Sequence, residues 1–233
     1  MLGCAIGALA GCGGSSDAGA GGKAAEPKPI RVAALGDSIT AGNPNYDPDP
    51  RQRRALGFGD DPRSQYEYWA SRADSRLRFR NCGVFGETTE QIAARLHDCA
   101  NGADALIVQG GINDIAQSLQ SPAPVRRLAV NRAAANLAQM VEEGKQLRLR
   151  VAIAEVLPWN RGYPAAAPLI DRLNRLIEVN AKLEEVPVLR FGSAIAEPAN
   201  PRLMQARLTA DGDHPSIAGY RRMGELVSKV FQR

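Results

Sequence analysis

From Ile30 onward the chain alternates short apolar β-rich runs with amphipathic stretches of helical length, and this alternation limits its folding more than any other feature. The strand candidates are 30–35 (IRVAAL), 77–81 (LRFRN), 104–109 (DALIVQ), 149–156 (LRVAIAEV) and 187–191 (PVLRF). Helical patterns lie between them, over 64–74, 88–98, 124–143, 168–184 and 215–231. In 124–143, Val125, Leu128, Leu137 and Val141 recur near helical spacing. In 168–184, Leu169, Leu173, Leu176, Ile177 and Val179 do the same. The last pattern opens with Pro215, the favoured first helical position, and Ile217, Tyr220, Leu226, Val227 and Val230 form its prospective buried face. Strands joined by helices require a parallel sheet covered on both faces, with right-handed crossovers. The expectation is one three-layer α/β/α domain, its five-stranded parallel sheet in the flavodoxin-like order 2-1-3-4-5. Ligands in such sheets bind beyond the carboxyl ends of the strands.

Composition fits one domain and excludes several functions. A chain of 233 residues can bury a sizeable core but is short for two domains. Aromatics make up only 5%, so aliphatic side chains and alanine must fill the interior. The net charge of +4 comes from scattered arginines, and pairs such as Arg53-Arg54, Arg126-Arg127 and Arg221-Arg222 stand isolated. A nucleic-acid surface needs a clustered basic face interleaved with aromatics, so none is expected. No apolar run approaches the roughly 20 residues of a membrane span. Four cysteines without a Cys-x-x-Cys pair, and only two histidines, predict no metal site; no cofactor is expected either.

Four short segments at the active edge carry candidate chemistry. After the first strand comes Gly36-Asp37-Ser38-Ile39-Thr40, which places a serine on a tight turn. After the second comes Asn81-Cys82-Gly83-Val84-Phe85-Gly86-Glu87-Thr88-Thr89, where Gly86 is expected to open a helix with a free N–H. After the third comes Gly110-Gly111-Ile112-Asn113-Asp114, whose Asn113 amide can point into the cleft. Near the C-terminus comes Asp211-Gly212-Asp213-His214-Pro215, a histidine three residues after an aspartate that can orient its ring. Each segment alone is explained by a helix cap or a turn. His97, mid-helix beside Asp98, is read as structural. Together the four supply a nucleophile, a base, an orienting acid and oxyanion donors, the parts that acyl transfer requires.

In order and spacing these blocks resemble those of the SGNH hydrolases, also called GDSL esterases and lipases, over residues 30–231. The matching positions are Gly36-Asp37-Ser38, Gly86, Gly111-x-Asn113-Asp114 and Asp211-x-x-His214-Pro215; Ile39 stands where many members have leucine. The resemblance implies Ser38 as nucleophile, His214 as general base and Asp211 as orienting acid. Asp211 is preferred to Asp213 because the family's acid lies three residues before the histidine. It further implies an oxyanion hole built from the Ser38 and Gly86 N–H groups and the Asn113 amide. Trp159 and Tyr163, which follow the fourth strand, are candidates to line an acyl or sugar pocket. The implied substrate is a small-molecule, lipid or acylated-glycan ester, with short-acyl or acetyl esters first and lysophospholipids next. A polysaccharide O-acetyltransferase with the same triad and a non-catalytic binding module are the alternatives.

The first 29 residues read as an address. Residues 1–11 form a small, apolar leader, and Leu9-Ala10-Gly11-Cys12 resembles a bacterial lipobox, implying cleavage before Cys12 and lipidation of its sulfur. No Lys or Arg precedes Lys23, a departure from the usual charged opening that leads one to expect a start upstream of Met1. Residues 12–29 carry that cysteine and a Gly/Ala/Ser-rich tether, and the hydrolase domain is expected over 30–233. The expected location is a cell-envelope membrane facing the periplasm. Once Cys4 is removed and Cys12 lipidated, Cys82 and Cys99 remain as a candidate disulfide.

Overall fold

The structure, a computed structural model, describes residues 1–5, 7 and 28–231. The expected lipidation at Cys12 and most of the tether lie outside the described residues. The strands are β1 (Ile30–Gly36), β2 (Leu77–Gly83), β3 (Ala105–Val108), β4 (Arg150–Ala154) and β5 (Val188–Leu189). They pair in parallel in the order β2-β1-β3-β4-β5, as the alternation predicts. The helices are α1 (Ser38–Ala41), α2 (Pro50–Leu56), α3 (Tyr66–Ala73), α4 (Thr89–Ala93), α5 (Leu96–Ala100), α6 (Ile112–Ser118), α7 (Ala123–Gln146), α8 (Ala167–Leu183), α9 (Phe191–Ile195) and α10 (Ile217–Phe231). A hairpin of β6 (Ala196–Glu197) and β7 (Asn200–Met204) follows α9.

The pleat assigns alternate strand residues to two cores, because successive side chains point to opposite faces. Ala33, Leu35, Leu106, Val108, Val151 and Ile153 pack on one side beneath α4 to α8. Val32, Ala34, Ala105, Ile107, Ala152 and Ala154 pack on the other beneath α3, α9 and α10. β1 and β3 are therefore apolar on both faces, which accounts for their continuous hydrophobic runs.

Several expectations about elements are corrected. The 88–98 pattern is two helices, bent at Ala94 and Arg95. The 187–191 run yields only two strand residues, because Phe191 already opens α9 and buries its ring beside Tyr66. Val125 and Leu128 are exposed on α7, and Val179 on α8. The buried stripe of α7 instead runs through small residues, Ala133, Ala134 and Gly144, alongside Val130, Leu137, Met140 and Val141. Pro215 lies before α10 rather than in it, bridged to Thr209, and the Ser216 hydroxyl caps the helix by accepting from the Gly219 N–H.

Candidate active site

The site is assembled from the turn after β1, the loop after β2, the start of α6 and the loop before α10. Asp37 is the N-cap of α1, its Oδ1 accepting from the Ile39 N–H at 2.9 Å, so the Gly-Asp-Ser turn does form the cap its composition suggests. That cap places Ser38 as the first helical residue, whose N–H has no acceptor within the helix. Gln109, at the end of β3, steadies the turn: its Oε1 accepts from the Asp37 N–H at 3.2 Å and the Thr40 hydroxyl at 2.9 Å. Ser38 is less open than a bare turn serine, 5% exposed, with the His214 ring against its hydroxyl.

His214 Nε2 lies 3.1 Å from Ser38 Oγ, although 176 residues separate them. Its Nδ1 lies 2.9 Å from Asp211 Oδ2, and Asp211 Oδ1 accepts the N–H groups of His214 at 2.7 Å and Asp213 at 2.8 Å. Burial pushes the Asp211 carboxyl up. The hydrogen bonds from the His214 ring and N–H, and from the Asp213 N–H, outweigh that effect and hold it at about 2. The loop is internally tied, with the Thr209 hydroxyl donating to the His214 carbonyl and accepting from the Gly212 N–H. The Asp213 carboxylate is engaged elsewhere, accepting from the Trp159 indole N–H at 2.6 Å and from Arg161 at 3.1 Å.

The loop after β2 comes up against α1 because residue 83 is glycine: a Cβ there would lie 2.0 Å from the Ala41 nitrogen. The Val84 N–H then donates to the Gly36 carbonyl at 3.1 Å, fastening this loop to the end of β1. Gly86 does not open a helix as expected; it sits in a turn two residues before the Thr88 cap of α4. Its φ of 79° is the left-handed conformation that glycine adopts without strain. Among the described residues its N–H has no acceptor. Asn113 lies in the first turn of α6 and donates one amide hydrogen to the Glu87 carbonyl at 2.8 Å. That bond holds the side chain beside the Gly86 turn and uses only one of its two amide hydrogens.

Arg95 braces these parts and was not singled out by the sequence, where it is one arginine among many in a helical pattern. It pairs with Glu87 and donates to the carbonyls of Cys82 at 2.9 Å and Gly36 at 3.3 Å. Cys82 is also disulfide-bonded to Cys99, with the Cα atoms 6.1 Å apart. Phe85 is a second such residue: its ring centroid lies 6.5 Å from that of His214 and 5.2 Å from Phe58. Its signal was legible, since a large aromatic stands between Val84 and Gly86 in a loop at the active edge.

The two aromatic candidates after β4 are each held by a polar partner. Trp159 is half-buried with its indole nitrogen held by Asp213, and Tyr163 is exposed, its hydroxyl accepting from Asn200. The cavity of about 180 Å³ beyond β4 is lined by Val156, Pro158, Asn174, Ser193 and Arg202, with both aromatics outside its lining. His97 faces Glu143 at 3.8 Å on the surface, far in role from the serine. Among the described residues no group of His, Cys, Asp and Glu is arranged to hold a metal.

The chain is a three-layer α/β/α protein, and its family match makes it a carboxylic ester hydrolase. Residues 34–222 match the GDSL-like lipase/acylhydrolase family, and the chain belongs to that family. Among solved structures it is similar to a G-D-S-L-family lipolytic protein from Desulfitobacterium hafniense, with 20% identity, 87% of this chain and 99% of that one covered, and a TM-score of 0.67. A GDSL-like lipase from Bacteroides thetaiotaomicron gives 22% identity, 87% coverage of each chain and a TM-score of 0.65. Axe2, an acetylxylan esterase from Geobacillus stearothermophilus, gives 19%, 87% and 94% coverage, and 0.64. No curated protein matches the chain.

The buried Asp37 makes a stability prediction. Among the described residues its Oδ2 has no partner, and burial pushes the carboxyl up to about 6 from 3.8. The folded state therefore holds this proton longer than the unfolded chain does. Stability that is complete below about pH 4 is lost as pH rises through about 6, by up to about 3 kcal/mol. Asp37→Asn keeps a capping side chain without the charge. Urea unfolding is expected to show the variant more stable than wild type by about 1–3 kcal/mol at pH 8, with the gap closing near pH 4. A gap independent of pH would contradict the assignment.

Proposed function

We propose that Ser38 is the nucleophile of a serine esterase, with His214 as general base and Asp211 as the acid that orients it. The observation that carries this reading is the continuous line from Ser38 Oγ through both nitrogens of the His214 ring to Asp211, in contacts of 3.1 and 2.9 Å. Nε2 takes the hydroxyl proton as Oγ attacks the ester carbonyl. Nδ1 keeps its proton on Asp211, whose charge persists to low pH and stabilises the imidazolium. The tetrahedral oxyanion is met by the Ser38 and Gly86 N–H groups and the free amide hydrogen of Asn113, donors fixed before the charge develops. The imidazolium then protonates the leaving alcohol, and water repeats the sequence on the acyl-enzyme.

Short acyl groups, acetyl first, are the proposed substrates. Support comes from the similarity to an acetylxylan esterase. Ser38→Ala is expected to lower p-nitrophenyl acetate hydrolysis to background, and Asn113→Ala to lower kcat by about 10²-fold or more. Across acetate, butyrate and octanoate esters, kcat/KM should fall with chain length. Near-normal turnover by Ser38→Ala would overturn the proposal.

We also propose that the chain is a lipoprotein, anchored through Cys12 to an envelope membrane and facing the periplasm. The lipobox-like Leu9-Ala10-Gly11-Cys12 supports this, and a bonded Cys82–Cys99 pair suits an oxidising compartment. Expressed in bacteria, the full chain should partition into the detergent phase and Cys12→Ser into the aqueous phase. Equal partitioning of the two would contradict the anchor.

A further inference from the structure

We propose that Phe85 and Phe58 form an aromatic subsite for the alcohol portion of the ester, and that the alcohol it takes is a pyranose ring. The inference rests on the proposed roles of Ser38 and His214. In that reaction Nε2 returns its proton to the leaving oxygen, so the oxygen must come within about 3 Å of Nε2. The body of the alcohol then spreads over whatever borders the His214 ring. That border is Phe85, with ring centroids 6.5 Å apart and planes tilted by 34°.

Phe85 is 40% exposed, in a chain where aromatics are only 5% of residues. Its neighbours place it. It directly precedes Gly86 in the turn fastened to the end of β1, which holds its backbone beside the serine turn. Phe58 meets it in an edge-to-face contact, with centroids 5.2 Å apart and planes at 61°. Phe58 comes from the polar, Pro/Asp/Arg-rich segment of residues 43–63, just after α2. The segment is itself pinned: the Phe58 N–H donates to Arg53, Gly59 to Pro44, and the Tyr220 hydroxyl to Asn43.

The shape of this surface selects among alcohols. With 40% of Phe85 exposed beside this edge-to-face contact, part of a flat aromatic ring with an electron-rich face meets solvent. Such a face suits a flat partner with C–H bonds on one side and hydroxyls free to stay in water. A pyranose has that form. A flexible acyl chain gains more from an enclosed tube, so the pair should read the alcohol and not the acyl length.

The test compares two acetates that differ only in the alcohol, a methyl xylopyranoside monoacetate and ethyl acetate, with the full chain. The ratio of their kcat/KM values is measured in wild type, Phe85→Leu, Phe58→Leu and Phe85→Tyr. The Leu variants are expected to lower the ratio about 3- to 10-fold, chiefly through KM for the sugar ester, and Phe85→Tyr to restore it. The acetate-to-butyrate preference should not move. If Phe85→Leu fails to fold, Phe58→Leu, which lies outside the Gly86 turn, makes the same measurement. A ratio within twofold of wild type in the folded Leu variants overturns the subsite, as does a change in acyl preference instead. A wild type that cleaves neither acetate overturns the esterase reading and the subsite with it.

Discussion

The site depends on β1 lying between β2 and β3 in a parallel sheet. Parallel strands end on the same edge, so this order makes the turns after β1, β2 and β3 immediate neighbours. Ser38, Gly86 and Asn113 each sit just past one of those strands. The His214 loop is brought to the same edge by α10, whose Tyr220, Met223 and Val227 pack into the core beneath β1 and β4. A switch point in strand order is where open α/β sheets place ligands generally.

Within that frame, polar contacts set the finer geometry. Gln109 holds the Asp37–Thr40 turn, Arg95 joins the ends of β1 and β2 to Glu87, and Glu87 in turn holds Asn113. Gln109, Arg95 and Glu87 touch no substrate in the proposed mechanism. They fix donors in advance, which is what electrostatic stabilisation of a developing oxyanion needs. The oxygen of Asp37 without a partner among the described residues shows the cost, a buried carboxylate kept beside Ser38.

Much of this was legible in the sequence because it lies in local pattern. The apolar runs of β1 and β3 follow from burial on both faces, and the strand order followed from alternation and handedness. Ser38 and Asn113 were legible because they follow strands, and Asp211 and His214 because they stand in a short polar block just before the last helical pattern. What was not legible is long-range. Arg95 reads as a surface arginine until the fold brings Gly36 and Cys82 to it. The α7 stripe was misplaced because alanines, not Val125 and Leu128, face the sheet. The hairpin after α9 pairs strands too short and polar for a period to register. Phe85 stood in plain view, but only its distance from His214 gives it meaning.

The central claim is that the line from Ser38 through His214 to Asp211 makes Ser38 a nucleophile. Treatment with a fluorophosphonate followed by peptide mass spectrometry tests it directly, since the probe bonds only to an activated hydroxyl. The account predicts one adduct, on the peptide containing Ser38, forming at least 10²-fold more slowly in His214→Ala. An adduct on another residue, or labelling of Ser38 at an unchanged rate without His214, would contradict it.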